Sequence, residues 1–409
     1  MVFQPDKFTI NFGKLEKPDE ARKIIVSTKE EKPVSLFLPS TYEDAIAPPM
    51  RNIISVLEGI TYLDEIVIGL DKADTEEKFK EVKSLTDHLP NRVLIWNDSP
   101  EMQRLYQEIS DDDLKISPGK GRNLWTGLGD RFERKNYNSM ILHDCDIQPG
   151  FYSENILLSL LFPLVHPKIG VHFVKAYYER VTDPDLSPRF AGRVTRVLMN
   201  SLIDSMDEVY GRIPRVRDFL NYMRSFKYIL SGEFGMGASL ADILPIQSDY
   251  GLETGMLGFL HNRPYKIGQV DLGRYDHRHQ ELSAADPQKG LHRMAIEITK
   301  TIFRKLYSIA GNEVLDDAKF EKLMTVYFTN NGTELINNYF KISKYRGMSY
   351  NALDERAMLV TFERAVIAGF EGFKKSPKGT RLLPSWHDID PSQRKELTDI
   401  IRAYNPGMK

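Results

Sequence analysis

Cysteine is almost absent: Cys145 stands alone in 409 residues, so no disulfide forms within the chain and a reducing compartment is expected. No stretch offers the roughly 18 consecutive apolar residues that a membrane helix needs. The opening residues, 1–14, are polar, so no export signal is expected and a cytoplasmic setting is. Neither sign of charge dominates. The 55 basic and 57 acidic residues leave a net −2, which gives no bulk attraction to nucleic acid or to a membrane surface. Low-complexity tracts, internal repeats and long linkers are lacking too. Asn97-Asp98-Ser99 and Asn331-Gly332-Thr333 match the glycosylation pattern, and without an export signal both read as chance. The length exceeds one typical domain, so one large domain with additions, or two domains, is expected.

What is present begins with four short apolar runs: Val34–Leu38, Glu65–Leu70, Arg92–Trp96 and Ser139–His143. Helical spacing fills the gaps, as in Met50–Leu57 and Glu77–Leu89. Continuous apolar strands separated by helices imply parallel strands buried on both faces. The fold class is therefore α/β, with a Rossmann-like nucleotide-binding sheet. Residues 150–285 read as a mixed α/β section, with a loose strand over Val171–Tyr178. The last third reads as helical, with one stripe from Ile296 through Ile298, Ile302 and Leu306 to Ile309 and another over Leu353–Phe373.

Ligands of such sheets sit beyond the carboxyl ends of the strands. Four polar loops converge there: Ser40–Glu43, Asp71 and Asp74, Asn97 and Asp98, and Asp144 with Asp146. The last is the sharpest. In an extended segment residues i and i+2 face one way, so Asp144 and Asp146 present two carboxylates to one spot. Mg²⁺ and Mn²⁺ favour a few protein oxygens, with substrate phosphates completing the shell. The plainer alternative is a solvated acidic turn.

Further motifs carry weaker signals. Gly119-Lys120-Gly121 precedes a helical segment over Asn123–Phe132, and a helix N-terminus with a lysine suits a diphosphate. The full P-loop pattern is absent. Gly192-Arg193-Val194-Thr195, between Arg189 and Arg196, offers arginines to a small anion. Asp276-His277-Arg278-His279 supplies an imidazole that can join two carboxylates on a metal. Glu233, after Gly232, and Glu253, in Tyr250-Gly251-Leu252-Glu253, suit sugar hydroxyls. Each has a plain reading as a surface charge, a turn or a hydrogen-bonded loop.

Taken in order, these six motifs resemble the glucosyl-3-phosphoglycerate synthases, retaining glycosyltransferases of the GT-A type; the resemblance runs from about residue 34 to residue 285. It implies a nucleotide-sugar half over residues 1–150, an acceptor and catalytic half over 151–285, and C-terminal helices over 286–409 that build a homodimer. It implies glucose transfer from a UDP-, GDP- or ADP-glucose to 3-phosphoglycerate, with a divalent metal, Mg²⁺ or Mn²⁺. By residue, it implies Asp146, His277 and Asp144 at the metal. Pro39, Ser40, Glu43, Asp71, Lys120 and Asp144 fall at the donor. Gly192, Arg193, Val194, Thr195 and His279 fall at the acceptor. Glu233 and Asp144 are the expected catalytic residues, with Glu233 holding the transferred sugar. Two departures from the family pattern stand out: the loop Leu38–Glu43 is not the usual Pro-x-x-Asn-Glu, and His279 stands where many members have Asn.

Rival expectations remain at this stage. Mannose in place of glucose, or free glycerate in place of the phosphorylated acceptor, fits the same motifs. A nucleotidyltransferase would carry a glycine-rich loop after the first strand, and Pro39-Ser-Thr-Tyr-Glu43 has no glycine. A non-catalytic sugar-nucleotide sensor would be expected to lack Asp146 or His277, and both are present.

Overall fold

Every expected apolar run becomes a strand of one sheet. The computed structural model describes residues 7–112, 114–182, 187–278, 282–379 and 382–408. In chain order its strands are β1 (Thr9–Lys14), β2 (Val34–Thr41), β3 (Glu65–Asp71), β4 (Arg92–Trp96), β5 (Ser139–Leu142), β6 (Phe173–Thr182), β7 (Arg189–Phe190), β8 (Phe234–Gly237) and β9 (Ile267–Tyr275). The spatial order is β1-β9-β6-β8-β5-β2-β3-β4, with β7 paired to β6. Strands β5, β2, β3 and β4 run parallel, as the crossover helices require. β3 is buried along its whole length, which explains why its sequence does not alternate. β8 is antiparallel to both β5 and β6, and it splices the parallel half to the β6–β9–β1 half.

Two boundaries differ from the sequence reading. The first strand continues past Pro39 to Thr41. Pairing with β5 stops at Phe37 opposite Leu142, so the proline interrupts no ladder on that side. The strand expected over Val171–Tyr178 runs from Phe173 to Thr182, carrying its charged end into the site described below.

The C-terminal third is helical, and most of both apolar stripes turns inward, with Leu353 and Ile367 left exposed. Helix Gly290–Ala310 packs on helix Ala352–Lys375, and Phe303, Phe320, Phe370 and Phe373 form a ring cluster between them. Ile296, Ile298, Ile302 and Leu306 are buried. The final segment returns to the sheet. Trp386 stacks on Trp125 at 4.2 Å, and each indole N–H donates to backbone of the other's segment. The Asn405 side chain bonds both the N–H and the C=O of Leu94, occupying the exposed edge of β4 as another strand would. Among the described residues no helix is long and apolar enough to cross a membrane.

Candidate active site

Asp146 and His277 are far apart in sequence and meet through backbone pairing. Ile147 bridges His277 in antiparallel fashion, Arg278 N donates to Asp146 O at 3.0 Å, and Gln148 N donates to Asp276 O at 2.9 Å. This staple fastens the loop after β5 to the residues after β9. Behind it the buried His143 ring meets the Tyr152 hydroxyl at 2.9 Å. One ligand atom each of Asp144, Asp146 and His277 lies within 4.8 Å of the others. Two carboxylate oxygens and an imidazole nitrogen form a donor set suited to Mg²⁺ or Mn²⁺. The local charges agree. Burial raises the Asp146 carboxyl above its usual range, His277 pulls it back, and Asp144 and Asp44 add repulsion that a cation would relieve.

His277 Nε2 lies 3.0 Å from Glu233 Oε1. Burial disfavours both charges, yet each partner sustains the other. Glu233 sits below its usual carboxylate range, and His277 sits above the usual imidazole range. Glu233, expected to hold the transferred sugar, directly precedes β8 with its side chain buried: Oε1 is taken by His277, Oε2 has no hydrogen-bond partner among the described residues, and the neighbouring Gly232 lines the cavity.

Gly232 is required by its neighbours. A Cβ there would fall 2.1 Å from Asp144 Oδ2 and 2.7 Å from Lys120 Nζ. Lys120 opens helix Lys120–Arg134 and reaches Asp144 at 2.6 Å and Glu253 at 3.1 Å. Burial alone would lower its pKa, but Asp144, Glu253 and Glu233 raise it well above the ordinary lysine value, so it stays a cation. Asp71, buried at the end of β3, accepts from Gly119 N at 2.7 Å and from the buried Arg122 guanidinium, fixing the turn that aims Lys120.

These groups line one cavity of about 330 Å³ at the carboxyl edge of the sheet. Pro39, Ser40 and Asp71 lie on its wall, as do Gly192, Arg193, Val194 and Thr195. Glu43 does not: it is exposed, and Asp44 lines the cavity instead. Thr41 caps a short helical turn that begins at Tyr42, which sends Glu43 outward and ties Asp44 back to the Thr41 hydroxyl at 2.8 Å. Asp44 also pairs with Arg278 at 3.1 Å, joining the loop after β2 to the His277 loop. His279 lies outside the described residues.

Sequence reasoning missed Arg180. It follows Tyr178 by two positions on β6, past an irregularity in the pairing with β9, and both line the cavity. An arginine closing the apolar run from Val171 to Tyr178 was the available signal. The buried Nε of Arg180 has no hydrogen-bond partner among the described residues. Arg193 lines the same cavity, and burial, then Arg180 and Arg189, lower its pKa. Arg196, grouped with these arginines from the sequence, is corrected. Its guanidinium is buried and forms a two-pronged pair with Glu355, at 2.6 Å for each prong. Gly192 adopts φ +65°, and a Cβ there would meet the Tyr228 hydroxyl at 2.6 Å.

A mostly parallel sheet, one antiparallel strand spliced into it, and an Asp-x-Asp–His cluster at its carboxyl edge define a GT-A type fold. Compared with models of protein families, the chain matches none. It is 35% identical over 373 residues to the glucosyl-3-phosphoglycerate synthase of Persephonella marina, covering 90% of this chain and 89% of that protein. The protein of the same name from Methanococcoides burtonii is 29% identical over 368 residues, covering 89% and 87%. Solved structures of glucosyl-3-phosphoglycerate synthase from Mycobacterium tuberculosis share the fold. One holds Mn²⁺ and UDP-glucose, with a TM-score of 0.51 at 19% identity over 73% of this chain and 86% of that one. Another holds phosphoglyceric acid, with the same score and identity over 73% and 88%. At that identity they establish likeness of fold alone. The chain belongs to the glucosyl-3-phosphoglycerate synthase family.

Proposed function

We propose that this protein transfers glucose from UDP-glucose to 3-phosphoglycerate with retention of anomeric configuration. The observation that carries the reading is one cavity with two chemically distinct ends. Asp144, Asp146, His277 and Lys120 make a metal and diphosphate end, and Arg180 and Arg193 make an anion-binding end. Family membership and the names of the relatives point the same way.

Asp144, Asp146 and His277 would hold the divalent metal, which when bound supplies positive charge against the leaving diphosphate. Glu233 fixes the orientation of the His277 ring from below, as carboxylates behind metal-binding histidines do. Lys120, kept cationic by its carboxylate neighbours, exchanges part of that contact for the diphosphate and stabilises the charge that develops on it. Arg180 and Arg193 take the acceptor's phosphate and carboxylate. Both guanidinium groups belong to residues lining that end of the cavity, and a guanidinium binds such anions through paired hydrogen bonds. The acceptor hydroxyl attacks the anomeric carbon from the face the diphosphate leaves, and the departing oxygen takes its proton.

We carry the homodimer and the cytoplasmic setting as parts of this proposal. Phe340, Ile342, Tyr345 and Leu353 are exposed apolar side chains on the C-terminal helices, and sedimentation of the purified protein tests whether they are covered by a second copy. The function is tested by product formation from 3-phosphoglycerate with UDP-, GDP- and ADP-glucose and GDP-mannose, each with Mn²⁺ or EDTA. Metal-dependent product from UDP-glucose supports the reading. Product from GDP-mannose alone overturns the sugar.

A further inference from the structure

The residues that flank the anion-binding loop are held by the C-terminal third of the chain at four points. Ser349 N donates to Pro188 O at 2.8 Å. The Phe190 and Tyr339 rings meet edge to face at 5.3 Å. The Arg196 guanidinium sits over the Tyr339 ring, 4.5 Å from its centre. Arg196 then closes the two-pronged pair with Glu355, at 2.6 Å for both prongs, in the first turn of helix Ala352–Lys375.

Arg196 directly follows Thr195, and its N–H returns to Gly192 O at 2.9 Å, so the loop and the fork form one rigid turn. That turn opens the π-helical stretch Val194–Met199; Arg193, Val194 and Thr195 line the cavity while the Arg196 fork is held by Glu355. A planar guanidinium bound by both carboxylate oxygens has one orientation, which a single hydrogen bond would not impose. The loop is also crowded with like charge from Arg180, Arg189 and Arg193. Arg196 adds to that crowd, and the buried Glu355 carboxylate on the opposing helix is the charge that opposes it.

We infer that the C-terminal helices clasp the acceptor loop, and that Glu355 is a positioning residue for acceptor binding that acts through Arg196. The inference rests on the reading of Gly192–Thr195 as the acceptor site. It assigns the C-terminal third a direct part in substrate recognition. Its specific consequence is a split: loosening the clasp weakens acceptor binding while the donor end, built on Lys120, Asp144 and Asp146, keeps its geometry.

The test is steady-state kinetics on the full chain with Mn²⁺, UDP-glucose and 3-phosphoglycerate. Glu355→Gln is expected to raise KM for 3-phosphoglycerate at least tenfold and leave KM for UDP-glucose within twofold, with Glu355→Asp recovering part of the loss. An acceptor KM within twofold of wild type overturns the clasp, and so does a parallel rise in both KM values. If Glu355→Gln does not fold, the double variant Arg196→Met with Glu355→Met removes both charges together, and the same split is expected of it. Arg193→Ala is the control. If it raises the acceptor KM and the Glu355 variants do not, the clasp fails alone. If neither moves the acceptor KM, the acceptor reading has failed and the clasp with it.

Discussion

The His277 ring and the Glu233 carboxylate meet at 3.0 Å in a buried pair directly behind the Asp144–Asp146 edge. Neither residue reaches the other by local sequence. The β8 strand delivers one, and the staple between Ile147 and His277 delivers the other. Replacing Glu233 by Gln keeps the volume but removes the charge that orients the ring. Mn²⁺ affinity should fall about 10- to 100-fold, the usual effect of losing a carboxylate behind a metal-binding histidine. Activity measured against Mn²⁺ concentration reads this directly, and an unchanged metal dependence would contradict it.

Gly232→Ala should inactivate the protein without unfolding it. The added methyl group would lie 2.1 Å from Asp144 Oδ2, so Asp144 and Lys120 must both move. A misplaced metal ligand and diphosphate cation together should lower kcat/KM by at least about 100-fold, equivalent to ~2.7 kcal/mol of transition-state stabilisation. The thermal midpoint should shift by only a few degrees, because the strain falls on cavity side chains.

Arg180→Met tests the anion end. Loss of one charge-assisted hydrogen bond, roughly 1.5–3 kcal/mol, corresponds to about a 10- to 100-fold rise in acceptor KM. The preference for 3-phosphoglycerate over unphosphorylated glycerate should shrink with it. A variant that loses activity equally on both acceptors would assign Arg180 a role other than charge recognition.

Lys175 supplies a pH dependence outside the metal cluster. Its ammonium group is buried on β6 and donates to Ser231 O at 2.8 Å. Burial is the main cause that brings its pKa down to about 8, against partial opposition from Glu253. A lysine whose folded pKa is depressed binds fewer protons folded than unfolded between about pH 8 and pH 10.5. Stability therefore rises with pH across that window, and the penalty is fully present below it. A shift of this size corresponds to roughly 3 kcal/mol. Chemical denaturation of wild type and Lys175→Met across pH 7–10.5 should show the wild type gaining on the variant by about that amount. Parallel curves would contradict it.

The sequence revealed what depends on local pattern. The apolar runs of β2 to β5 were legible because strands buried on both faces do not alternate. Asp144 and Asp146 were legible because an i, i+2 pair at a strand end can face only one way. Lys120 and Arg193 were legible as motif residues. What stayed hidden depends on long-range pairing or on the phase of a turn. Glu43 and Asp44 are chemically interchangeable in the sequence, and only the Thr41 cap decides which faces the cavity. Glu233 and Arg196 carry the charges their roles were expected to need. Each meets a partner distant in sequence that no local pattern announces, His277 and Glu355 respectively.

The central claim is that Asp146 is part of a metal-assisted transfer site whose other end binds an anionic acceptor. The most direct test is glucose transfer from UDP-glucose to 3-phosphoglycerate, measured with Mn²⁺ and with EDTA, for wild type and Asp146→Ala. The account predicts product only from wild type with Mn²⁺, with the variant folded and inactive. Metal-independent product, or full activity in Asp146→Ala, would contradict it.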